Sequence, residues 1–435
     1  VPVGSQRFAS HKTKLNQKGN SMKLIRPFNA LRPIKDLAAR VAAPPYDVLN
    51  REEAFEMAKG NEYSFLRINK PEIDVDPSID AYDKQVYQRG AENLQKFIAK
   101  GIMQRDPRHT FYVYKQVMGS HEQVGLVAAA SVLAYESNLI KKHEFTRPDK
   151  EDDRVNHINT LGAQVGPVFL TYRAQAEIDI LIAGVMAAVP EFDFVADDGN
   201  RHVLWVVADD ATVAAIQSAF DKVDCLYVAD GHHRSAAAQR VKDLRKASNP
   251  QHTGEEAYNY FSAVIFPDNQ MQILDYNRLV KDIKGLSEEA FLAHIQDGFT
   301  VRESSAGAVK PTKEHEFTMF LGGKWYVLEA LPKLWQEDDP VKSLDVSILQ
   351  DNLLSPLLGI EDPRRDKRID FVGGIRGLPE LERRVRTGDW EVAFALYPTS
   401  IKSLMAIADA GEVMPPKSTW FEPKLKSGLF VHILD

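Results

Sequence analysis

The stretch that most constrains this chain runs from Cys225 to Ala238 and reads Cys-Leu-Tyr-Val-Ala-Asp-Gly-His-His-Arg-Ser-Ala-Ala-Ala. An apolar run of strand character ends at Asp230 and Gly231, and an alanine-rich segment of high helix propensity follows. The pattern predicts a strand, a tight turn and then a helix over residues 234–246. The first turn of a helix leaves backbone N–H groups unbonded and carries the positive end of the helix dipole. His232, His233 and Arg234 crowd the same mouth, a cluster that repels itself unless an anion or carboxylate balances it. A phosphate, above all that of a nucleotide, fits this chemistry. The plain alternative is a turn in which Asp230 only caps the helix.

At 435 residues the chain has room for two or three domains. Its 44% hydrophobic and 26% charged residues are ordinary for a globular protein. A formal charge of −7 argues against wholesale nucleic-acid binding. The single cysteine, Cys225, excludes an internal disulfide framework and fits a reducing compartment, so the cytoplasm is expected. Its apolar surroundings predict a buried, inert thiol. No apolar run reaches the roughly 18 residues that span a membrane. Residues 1–21 are polar, without a signal-peptide core, and read as a disordered leader.

Strands are expected at 23–28, 111–118, 124–135, 168–172, 203–207, 260–266, 316–321, 324–328, 369–374 and 392–398. A strand at 271–274 should pair with 260–266 around the turn 267–270. Helices are expected at 51–59, 81–100, 149–161, 178–189, 211–220, 288–297, 345–355, 378–387 and 401–410. This alternation predicts an α/β (α+β) protein of layered sheets and helices. The organisation expected is an N-terminal α/β region at 22–135, a core at 136–275 and a C-terminal α/β domain at 276–435.

Three further places carry candidate chemistry. Pro44 and Pro45 impose a stiff extended path from which Asp47 could reach a site. Glu144 stands just before a helix, where a carboxylate can face a cleft, while the charge run after it reads as a solvated face. In the proline-rich strap 413–428, Lys417, Ser418 and Thr419 place a cation beside two hydroxyls, a combination suited to phosphate. The alternative for the strap is simple anchoring by Trp420 and Phe421. Walker-type and dinucleotide-binding glycine motifs, zinc-type Cys/His spacing and the hydrolase Gly-x-Ser-x-Gly elbow are all missing from the sequence.

Pro-Pro-Tyr-Asp-Val at 44–48, His-Glu-x-Thr at 143–146, Asp-Gly-His-His-Arg at 230–234 and Met-Pro-Pro-Lys-Ser-Thr-Trp-Phe at 414–421 together resemble a bacterial family described only as a domain of unknown function, number 1015. From about Lys141 to Lys424 the order of motifs is also similar to the free-serine kinases of the ParB/sulfiredoxin fold. The resemblance implies a ParB/sulfiredoxin-like catalytic core at 136–275 that transfers a phosphoryl group from ADP or ATP, with Mg2+, to free L-serine. It implies Glu144, in His143-Glu144, as general base, and Asp230 to Arg234 as the turn that holds phosphates and organises metal and substrate. Three departures stand out. Trp420 and Phe421 replace an arginine and a histidine, Ser418 replaces a threonine, and residues 173–225 form a longer connection.

On that reading the amides of Gly231 and His232, with His233 and Arg234, grip the donor, and Asp230 holds magnesium or orients a histidine. Lys417, Ser418 and Thr419 stabilise the transferring group. The partners implied are a nucleotide and a serine-like hydroxyl compound, without membrane or nucleic acid; the oligomeric state is left open. The competing functions are a nucleotide-binding ParB-like regulator or DNA-associated protein, and a phosphoserine phosphatase or nucleotidase on the same phosphate cradle.

Overall fold

The computed structural model describes residues 22–435, so the expected leader lies outside the described residues. Two compact units divide them. One comprises residues 22–271 together with Pro423–Asp435, the other Gln272–Glu422. Among the described residues no helix is long and apolar enough to cross a membrane.

The first unit is built on a nine-stranded mixed sheet. Its strands lie in the order Ile140–Lys141, Leu226–Asp230, Val168–Tyr172, Tyr260–Pro267, His121–Ser131, Tyr112–Met118, Arg201–Val206 and Phe192–Val195, with Ile25–Arg26 pairing on His121–Ser131. Strands from both sides of residue 135 therefore share one sheet. Val168–Tyr172 is buried at every position, as expected for a central strand covered on both faces. The helices Pro148–Leu161 and His232–Ser248 share a core of Val155, Ile158, Ala237, Val241, Tyr258 and Leu434. Alanine at 236, 237 and 238 keeps the second helix thin enough to lie close against its neighbours, and Ala238 joins the main core.

The last residues of the chain return to this unit. His432–Ile433 pairs with Ala163–Gln164, and Ala43, beside the tandem prolines, bridges Ser427. The second unit carries a six-stranded antiparallel sheet in the order Phe299–Glu303, Lys324–Ala330, Glu316–Leu321, Val392–Leu396, Tyr276–Val280 and Ile369–Gly373. The helix Asp345–Leu349 continues into a π-helical turn at Gln350–Leu354.

Several expectations need correction. The strand expected at 124–135 ends at Ser131, whose hydroxyl accepts the Ala134 N–H and starts the helix Val132–Glu136. Ile273–Leu274 does not pair with Tyr260–Pro267; its partner is Trp420–Phe421. The strands Phe192–Val195, Tyr276–Val280 and Phe299–Glu303 were not anticipated by periodicity. Cys225 precedes its strand and is only half-buried, against the expectation of a buried thiol.

Candidate functional site

Parallel pairing assembles the site. Leu226 and Tyr227 pair in register with Ile140 and Lys141, so both strands end at the same sheet edge. His143 and Glu144 follow one strand, and Gly231 and His232 follow the other. The carboxyl ends of adjacent parallel strands are where a layered α/β sheet opens a crevice for ligands. The pairing of Leu226–Asp230 with Val168–Tyr172 shifts register between Val228 and Asp230. Such a bulge re-aims the side chain that follows it.

Gly231 then takes φ +98°, and the helix begins at His232, two residues before the expected start. A Cβ at 231 would meet the Arg234 guanidinium at 3.0 Å, so both conformation and space call for glycine. Among the described residues no side chain caps this 17-residue helix. Its first amides are left for a ligand or water.

His143 and His232 are 1% and 4% exposed, with rings 4.4 Å apart and nearly perpendicular. Among the described residues, neither ring nitrogen of His143 has a hydrogen-bond partner, nor does Nε2 of His232. Leaving a buried polar group unsatisfied costs about 1–3 kcal/mol, so these nitrogens need a reason to be here. Glu144 is exposed at the rim, and its Oε2 lies 3.6 Å from His232 Nδ1. Burial lowers the His143 imidazole to about 3 against the opposing field of Asp230. Burial, then His143, pushes His232 well below its ordinary value. His233 is lowered by burial too, opposed by Asp47 and Glu151, and its Nε2 accepts the Arg147 N–H at 3.1 Å.

The self-repulsion expected of this cluster is thus reduced, because burial disfavours the charged form of both rings and Arg234 has company. Arg234 donates to the Pro167 carbonyl and lies 3.6 Å from Asp230 Oδ1. Lys424 takes the other oxygen of Asp230 at 2.9 Å. Burial works to raise the Asp230 carboxyl, but Lys424 and then Arg234 outweigh it and hold it well below the carboxylate range. The backbone of Lys424 is itself fixed, since Gln116 Nε2 donates to its carbonyl and the buried Gln123 donates to Gln116 Oε1.

The Pro-Pro-Tyr-Asp segment closes one side. Asn69 Nδ2 donates to the Pro44 carbonyl, and the Arg154 guanidinium sits 3.9 Å over the Tyr46 ring. Tyr46, Asn69, Arg154, Gln164 and Arg234 line a cavity of about 20 Å³, the size of a water molecule. Asp47 is exposed and its field reaches His233.

One unit therefore holds Asp47, His143, Glu144, Asp230, Gly231, His232, His233 and Arg234. Lys417, Ser418 and Thr419 belong to the other. There the Lys417 carbonyl accepts from Arg278, its ammonium lies 5.4 Å from the Tyr276 ring centroid, Ser418 Oγ donates to the Pro415 carbonyl, and Thr399 Oγ1 donates to the Ser418 carbonyl. Sequence reasoning missed Lys424. The signal was a lysine inside the strap 413–428, but the Lys-Ser-Thr trio drew attention away from it.

Among curated proteins none matches the chain. Among solved structures, a conserved hypothetical protein from Pyrococcus furiosus is similar at 14% identity and TM-score 0.34, over 70% of this chain and 95% of that chain. A free serine kinase in complex with AMP is similar at 13% identity and TM-score 0.34, over 70% of this chain and 91% of that chain. SbnI from Staphylococcus aureus, with a C-terminal truncation, gives 13% and 0.34 over 71% of this chain and 87% of that chain. Overlap at that level carries nothing about activity. The sequence matches the family described as protein of unknown function (DUF1015) over residues 25–347, about three quarters of its length, and the chain belongs to that family.

Proposed function

We propose that this protein is a nucleotide-dependent phosphotransferase acting on a small hydroxyl metabolite, with free L-serine as acceptor and ADP or ATP as donor. One observation carries the reading: the uncapped start of a long helix, opened by Gly231, lies on the sheet edge that also presents the Glu144 carboxylate. The first feature suits phosphate, and the second suits a hydroxyl proton. The Asp-Gly-His-His-Arg and His-Glu motifs support the same assignment.

The donor, with its magnesium, would supply the phosphoryl group and part of the charge neutralisation its transfer requires. The amides of His232 and His233 would hold phosphate oxygens, and neutral His233 would donate through Nδ1, its Nε2 being occupied by the Arg147 N–H. Glu144, in contact with water, would accept the proton of the acceptor hydroxyl. Asp230 fits poorly as a direct magnesium ligand, because Lys424 and Arg234 already balance its carboxylate. It fits better as the group that fixes those two cations. The assignment of Lys417, Ser418 and Thr419 to phosphate rests on their motif.

The test is incubation with magnesium, a panel of ADP, ATP and CTP, and a mixture of small hydroxyl metabolites, read by mass spectrometry. O-phosphoserine is the expected product. Glu144→Gln should keep nucleotide affinity and lose turnover by about 10²- to 10⁴-fold. Asp230→Asn should impair both. Full turnover in Glu144→Gln removes it as base. Phosphate release from phosphoserine or nucleotide, with no phosphorylation of any acceptor, replaces the transferase reading by the hydrolytic one.

A further inference from the structure

We propose that His143, Glu144 and His232 form a binding site for a first-row transition-metal ion of the Zn2+, Mn2+ or Co2+ class. One donor atom from each residue falls within 4.8 Å of the others. An ion bonded at about 2.1 Å to three ligands sets them about 3.4 Å apart, so modest rotation of the side chains closes the set. Two of the three are buried imidazoles, and among the described residues both nitrogens of His143 and Nε2 of His232 lack hydrogen-bond partners, an arrangement costly for plain core histidines and natural for ligands.

The donor chemistry selects the ion. Two nitrogens and one carboxylate oxygen suit borderline first-row metals, whereas Mg2+ and Ca2+ demand oxygen. Asp230 sits close enough to influence both rings and adds negative field, although its oxygens face Lys424 and Arg234. Three protein ligands leave a position open for water or a substrate oxygen. Glu144 stands at the exposed rim, so the set is reached from the solvent side. The ion would therefore sit beside the helix start proposed for phosphate, without depending on that proposal.

The test uses the full chain and no nucleotide, so its outcome is separate from that of the phosphotransferase reading. Protein stripped with chelator is loaded with Zn2+, Co2+, Mn2+ or Mg2+ alone and desalted. Bound metal is counted by elemental analysis, and the Co2+ form is followed by visible absorption. One equivalent of Zn2+ or Co2+ per chain is expected, with Mg2+ not retained. Affinity should fall at least tenfold in Glu144→Gln and at least a hundredfold in His143→Asn. Should the buried substitution fail to fold, Glu144→Gln at the exposed rim carries the test alone. Absence of retained metal in the unaltered protein, or equal retention in it and Glu144→Gln, overturns the proposal. Loss of metal in Asp230→Asn with full retention in Glu144→Gln overturns it as well, by moving the ion to Asp230.

Discussion

Lys424 reaches Asp230 from 194 positions further along the chain, and the pair does more than neutralise charge. Asp230 ends the strand Leu226–Asp230, so anchoring it also anchors the turn at Gly231. Breaking a buried ion pair on one side leaves a carboxylate without compensation. This pair keeps some contact with water, so Lys424→Met should cost about 2 kcal/mol rather than the full burial penalty. Denaturant melts of Lys424→Met, Asp230→Asn and the double variant check this. The double variant should lose less than the sum of the singles. Strict additivity would mean that the two groups do not stabilise each other.

At the scale of elements, the helix start is the decisive piece. Gly231→Ala places a methyl group against the Arg234 guanidinium in a left-handed backbone conformation, and should cost about 1–3 kcal/mol. Thermal melts measure the loss, and an unchanged melting temperature would show that the turn relaxes freely. The strands at 168–172 and 226–230 were legible because both are short apolar runs bounded by turn signals. The helix start was read two residues late because a left-handed glycine, not a capping side chain, performs the turn, and no side chain advertises it. The boundary at Ser131 was hidden inside an unbroken apolar run. Pairings over long separation were not legible at all. Ile273–Leu274 meets a strand near residue 420, and His143 meets His232 only because two strands run parallel. The individual site residues could be read from motifs. Their juxtaposition, and the pairing of Asp230 with Lys424, required the sheet.

At the scale of the whole molecule, the two units carry buried titrating groups of opposite sign. In the unit containing residues 22–271, His157, His202 and His432 are buried, with burial lowering them to about 3, 3 and 4. Between pH ~6.5 and those values the unfolded chain takes up protons that the folded unit refuses. Stability there rises with pH and is lost on acidification, by up to about 1.4 kcal/mol per pH unit for each histidine. In the unit Gln272–Glu422, burial raises Asp345 to about 7, although its carboxylate accepts the His315 N–H at 2.8 Å. Between 3.8 and about 7 the folded unit holds a proton that the unfolded chain has released, so stability falls as pH rises and returns on acidification. Moving from pH 7 to pH 5 should therefore weaken the first unit and strengthen the second. Hydrogen exchange corrected for intrinsic rate separates the two, with amides of Val168–Tyr172 losing protection and those of Glu316–Leu321 gaining it. Asp345→Asn should abolish most of the gain without touching the loss. Parallel movement of both sheets, or an unaltered gain in Asp345→Asn, would refute the assignment of opposite proton linkage to the two units.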